Sequence, residues 1–258
     1  MKRLWLCTVI LLALLVTAGW WFRRPAMVWY FQNVKQPRAG SVGTKPRPDA
    51  ERYEVLCSEL KRWRIDLSQR YKNANTAAER EAIEGDARIL LEKTLPAMMR
   101  CWLGTPWDFN GTAAKPGDGK IACGYFVSTV LRDAGFDLNR YKLAQQASGN
   151  ILRTFLPKDA CHLTSSKPYD AFVIYLDDFE PGIYLVGLDT HVAFLVKDHK
   201  GFRFIHSSGS KPWCVVDEAK DEAKVLKKSK WRMLGNITAH PNALRMWLGG
   251  KRVKVHEG

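Results

Sequence analysis

Hydrophobic positions change their period several times along this chain, and each change marks an element. Residues 4–22, "LWLCTVILLALLVTAGWWF", run nineteen positions without a charge. A spanning helix needs about 20 apolar residues, whereas the apolar part of a secretory signal is about 7–15 long. Trp20, Trp21 and Phe22, followed by Arg23 and Arg24, match an aromatic belt with a basic stop at a membrane interface. The run predicts a transmembrane anchor, with a cleaved signal segment as the alternative. Pro, Gly and basic residues then dominate up to position 48, which predicts a linker over 23–48.

From position 49 the period becomes helical. Tyr53, Leu56, Leu60, Trp63 and Leu67 fall on one helical face, and a second helical stretch follows a polar break at Asn73–Asn75. Pro96 is expected to kink or interrupt that second stretch. Together they predict a helical hairpin over 49–102, serving as a structural spacer. A loop dense in Gly, Pro, Asn and Asp, residues 104–120, leads to Cys123. Beyond it Phe126, Val127, Val130, Leu131 and Ala134 return at helical spacing, and Gly135 stops the helix. Short β-rich runs come next at 170–176, 182–188, 191–197 and 202–208. A charged helical run at 217–230 and a last strand at 231–238 complete the pattern. A helix followed by consecutive strands predicts an α+β fold with an antiparallel sheet over 103–258.

Composition narrows the class. With 46% hydrophobic and 11% aromatic residues the chain has ample material for a packed core. Forty basic against 26 acidic residues give a net charge of +14. An excess survives when Lys2, Arg3, Arg23 and Arg24 beside the apolar run are set aside, and it favours anionic surroundings such as acidic envelope polymers, phospholipid headgroups or nucleic acid. The basic residues are scattered and no nucleic-acid motif accompanies them, so nucleic acid is not an expected partner. None of the six cysteines has metal-ligand spacing, and no metal or other cofactor is expected. Cys57, Cys101, Cys161 and Cys214 read mainly as buried free thiols.

Cys123 is different, because it opens a helix. A helix N-terminus carries about half a positive charge and presents free N–H groups, which suit a thiolate or a developing oxyanion. The expectation is a thiol depressed below its unperturbed pKa of about 8.5, with a histidine as base. His191 opens an apolar strand and His206 lies on the next one, while His199 sits in the turn between them. A two- or four-residue loop pairs Ala193 with His206 and puts both histidines on one sheet face. A three-residue loop with a bulge at Gly201 puts them on opposite faces. Both registers suit the sequence.

The loop "LGTPWDFNG", the cysteine heading "CGYFVSTVLRDAGF", and then "HVAFLV" and "FIHSS" resemble the NlpC-type cell-wall peptidases, which are papain-like cysteine hydrolases. The resemblance covers about residues 102–208. It implies Cys123 as nucleophile, His191 as general base, His206 as the group orienting it, and Trp107 and Asp108 of the loop at the substrate. The implied protein is an exported, membrane-anchored hydrolase of the bacterial cell envelope, cutting amide bonds in peptidoglycan stem peptides. An ester or lipid acyl hydrolase on the same fold, and a non-catalytic envelope-binding module, are the alternatives. The family pattern has Asp before the cysteine and Ser-Gly after it. This chain has Ala122, Gly124 and Tyr125 there, and its interval from Cys123 to His191 is longer.

Overall fold

A computed structural model of the chain describes residues 46–257. The expected anchor at 4–22 and all but the end of the expected linker lie outside the described residues. Among the described residues no helix is long and apolar enough to cross a membrane.

The chain is α+β, built on one six-stranded antiparallel sheet. Two long helices come first, α1 (Ala50–Asn73) and α2 (Ala77–Cys101), as the helical spacing predicts. Asp49 caps α1, and Thr76 with Glu79 forms a reciprocal capping box on α2, satisfying orphan N–H groups at both starts. Pro96 is accommodated inside α2, which continues unbroken to Cys101. The loop leads to α3 (Cys123–Asp133), which is followed by two short helices, α4 (Arg140–Ala144) and α5 (Ser148–Phe155). Neither short helix was foreseen.

The sheet comprises β1 (His162–Ser165), β2 (Gly182–Leu188), β3 (Val192–Asp198), β4 (Gly201–Ser207), β5 (Val215–Ala219) and β6 (Trp231–Asn236). Its order is β1-β6-β2-β3-β4-β5, so β2 to β5 form a meander and β6 returns along the free side of β2. Three helices complete the fold: α6 (Tyr169–Asp177) between β1 and β2, α7 (Lys224–Lys228) between β5 and β6, and α8 (Pro241–Gly249) after β6.

Two expectations are corrected. The run 170–176 is the helix α6 rather than a strand. Phe172 and Leu176 are buried one turn apart, and Ile174 between them is 68% exposed, a helical division of faces rather than alternation. The charged run 217–230 is not one helix. Its first residues belong to β5, and only 224–228 coil as α7, where Leu226 reaches the core beside Ala223 just before the helix. What holds 217 in the sheet is charge. Asp217 is nearly enclosed and takes Arg100 of α2 and Arg203 of β4, each at 2.7 Å.

The two faces of the sheet are covered differently. One carries Leu195, Phe204 and Val186 against Phe172, Leu176 and Leu226 of α6 and α7. The other receives α3, whose Phe126 meets Phe194 edge-on at 5.9 Å. Phe126 also meets Trp102 at 6.1 Å, and Trp102 meets Tyr53 at 5.5 Å. This column joins hairpin, α3 and sheet, and the Tyr53 hydroxyl donates to Asp133 at the end of α3. Trp102 is fully buried. Trp102→Ala is therefore expected to cost about 3–5 kcal/mol in a denaturant titration. Ile174→Ala, on the exposed face of α6, is expected to stay within about 0.5 kcal/mol.

Candidate active site

The start of α3 is fixed by the loop before it. Ala122 N–H donates to the Gly111 carbonyl and Ile121 N–H to the Pro106 carbonyl, both at 2.9 Å, while the Ser207 hydroxyl at the end of β4 holds the Ile121 carbonyl at 2.7 Å. Arg140 adds a clamp from α4. Its guanidinium donates to the Thr112 and Ala113 carbonyls and lies over the rings of Tyr125 and Tyr141. The loop, the sheet end and α4 thus converge on residue 123. Gly124, one of the departures from the family pattern, has a local cause. A Cβ there would come within 2.4 Å of the Ala144 carbonyl oxygen, so glycine lets α4 pack on the first turn of α3. Ala122 at the N-cap has no side chain that can cap α3.

Cys123 and His191 line the same cavity of about 720 Å³, together with Trp107, Phe109, Tyr125 and Gln145. The backbone amides of Val192, Gly124 and Cys123 itself favour the ionised form of the sulfur. Among the described residues no hydrogen bond joins the thiol to the imidazole.

The register between β3 and β4 settles the position of the second histidine. Asp198 pairs with Gly201 across a two-residue turn, and Phe194 pairs with Ile205. That register sets His206 opposite Ala193, on the face to which His191 belongs. His191 Nε2 lies 2.8 Å from His206 Nδ1, and the rings are perpendicular. Behind them stands a residue that the sequence reading missed, Glu218 on β5, with Oε2 3.1 Å from His206 Nε2. His206 pairs with Val216, so Glu218 is its diagonal neighbour on the same face. Alternation in "VVDEA" carries that information, but it was hidden by reading the charged run as helix.

Trp107 packs on Trp213 with ring centres 5.4 Å apart, and Gly209 makes room for it, since a Cβ there would lie 2.9 Å from the indole. Asp108 is placed beside this cavity rather than among its lining residues. Its carboxylate accepts from Asn110 N–H and pairs with Lys120 at 3.1 Å, which shapes the loop. Cys57, Cys101, Cys161 and Cys214 are free thiols, as is Cys123.

The electrostatics differ from the expectation of a depressed thiol. Burial pushes the Cys123 thiol above its ordinary value and outweighs the three N–H groups that pull it down. Burial, with His206 alongside, holds His191 well below the usual histidine range, and burial brings His206 down to about 3. At neutral pH the resting site is therefore a thiol facing neutral imidazoles. A neutral thiol of this kind becomes nucleophilic through general-base catalysis and not through a preformed ion pair. Alkylation of Cys123 by iodoacetamide, followed by peptide mass analysis, is expected to quicken steadily as pH rises through about 9. A rate plateau near neutral pH would reveal a resting thiolate and contradict this electrostatic picture.

Comparisons with protein-family models, with curated proteins and with solved structures return no match for this chain, so its functional reading rests on the geometry of the site.

Proposed function

We propose that this chain is a papain-like cysteine hydrolase of NlpC type, membrane-anchored and facing the cell envelope, that cleaves amide bonds in peptidoglycan stem peptides. One observation carries the reading: Cys123, at the uncapped start of a helix, shares a cavity with His191, which is hydrogen-bonded to a second buried histidine. In this reaction the Cys123 proton passes to His191 as sulfur attacks the carbonyl carbon. The first-turn N–H groups of α3 stabilise the oxyanion, and His191 returns the proton to the leaving amine. Water then attacks the thioester, giving its proton to His191 and releasing the free thiol and the acid.

The cleft favours an acidic substrate. A neighbouring cavity of about 410 Å³ shares His191 and is lined by Lys211, Lys224 and Lys228. Asp189, the acidic group on that wall, is already occupied by the Ser229 hydroxyl and the Lys230 and Trp231 N–H groups. Exposed aromatics, Phe109 of the loop (79% exposed) and Trp213 between β4 and β5 (50% exposed), supply apolar area beside this charge. Peptide stems with free carboxylates match both features.

Digestion of purified muropeptides by the chain from Asp49 onward, with products identified by mass, tests the reading. Cys123→Ala and His191→Ala are each expected to lower turnover by at least about a thousand-fold, and the double variant by no more. His206→Gln is expected to retain more activity than His206→Ala, because an amide can still orient His191. Lys224→Ala and Lys228→Ala are expected to raise KM by a few-fold, an effect that fades with added salt. Cleavage of phospholipid or simple esters without cleavage of muropeptides would move the chain to acyl hydrolysis. Binding without any turnover would make it an envelope-binding module.

A further inference from the structure

His206 uses both ring nitrogens, one toward His191 and one toward Glu218. A neutral imidazole carries one N–H and one lone pair, and an ionised carboxylate can only accept. With Glu218 ionised, His206 must carry its proton on Nε2. Its Nδ1 then accepts from His191 Nε2–H, and the free lone pair of His191 is left on Nδ1. A protonated Glu218 gains an O–H while keeping an acceptor oxygen. When that O–H donates to His206 Nε2 every bond reverses: His206 Nδ1–H donates to His191 Nε2, and His191 carries a proton on Nδ1 and has no free lone pair.

We propose that Glu218 is a positioning residue that acts through His206, its carboxylate setting the two tautomers so that His191 presents a free Nδ1 lone pair as the base for the Cys123 thiol. The proposal rests on the hydrolase reading for its catalytic meaning, though the tautomers can be read without it. In the catalytic step the N–H bonds of His206 and the His191 Nε2–H bond stay in place. On thiol deprotonation one proton moves from Cys123 to His191 Nδ1, and the new imidazolium is balanced through neutral His206 by the Glu218 carboxylate.

The surroundings of Glu218 make this relay responsive to pH. Burial pushes its carboxyl up to about 7, and Glu222 and Asp217 add to the rise. Lys224 of α7 and Arg203 of β4 oppose it, and Tyr169 of α6 also interacts with it. Both histidines stay neutral well below that pH. The sign follows: as pH falls through about 7 the carboxylate gains a proton, and the base is lost although neither imidazole has charged.

The experiment is ring-nitrogen NMR of the histidine-labelled full chain in detergent, from about pH 5 to about pH 9, run beside muropeptide hydrolysis. Both rings are expected to change tautomer together near about pH 7, with an acid limb of hydrolysis at the same midpoint. Glu218→Gln is expected to abolish the joint change and to move the acid limb down by about one pH unit or more. Glu218→Ala is expected to lower turnover about 10–100-fold. Glu222→Gln keeps the acceptor for Ala219 N–H and is expected to lower the midpoint, so it decides the matter if the Glu218 variants fail to fold. Tautomers that stay fixed across the range, a joint change that survives Glu218→Gln, or a midpoint indifferent to Glu222→Gln would overturn the relay. Hydrolysis that is unaffected by Cys123→Ala would overturn the hydrolase reading while leaving the tautomer result standing.

Discussion

The column of rings from Tyr53 through Trp102 and Phe126 to Phe194 is the constraint on which the arrangement depends. Each contact is edge-on, the favourable geometry for aromatic quadrupoles, and the two central side chains are fully buried. It fixes the height and rotation of α3 over the sheet, and thereby the position of residue 123 relative to the first residue of β3. Without it the loop and the sheet end could still bond, but α3 would have no fixed seat. The hairpin therefore belongs to the packing of the site as well as preceding it in sequence.

Around that seat the physics is that of low dielectric. Desolvation dominates the thiol, both imidazoles and Glu218, and in every case it favours the uncharged form. A site of this kind spends little on holding charges at rest. Its polarity lies in oriented contacts, one histidine on another and a carboxylic group behind them. Under the hydrolysis proposed above, preorganisation of this sort would do its stabilising when charge develops in the transition state.

Much of the fold was legible because it follows local periodicity. Leu56, Leu60 and Leu67 on α1, and Phe126, Val130 and Leu131 on α3, fall where a helical stripe puts them, and all are buried. The run 170–176 misled because Phe172, Val173 and Ile174 are consecutive apolar residues whose burial is decided by tertiary packing on one side only. The site was legible as far as its residue types go, since Cys123, His191 and His206 were all singled out by position. Whether the two histidines meet depended on the turn at 198–201, for which the sequence admits two registers. Glu218 was hidden for a related reason. Acidic and basic residues in alternation read as a solvated helix, whereas here Asp217 is drawn inward by Arg100 and Arg203, and the strand follows it.

That inward carboxylate has a mechanical side. β5 is the last strand of the sheet, and on its outer side its first residue, Val215, exchanges backbone hydrogen bonds with Gly104 and Thr105. Arg100 fastens it from α2, outside the sheet, one residue before Glu218. The hairpin thus works as a guy-line on the strand that ends the polar chain. Releasing the Arg100–Asp217 pair alone would let β5 loosen while the ring column still seats α3. Under the relay proposed above, the molecule would then keep an accessible nucleophile beside a base that had lost its bearing.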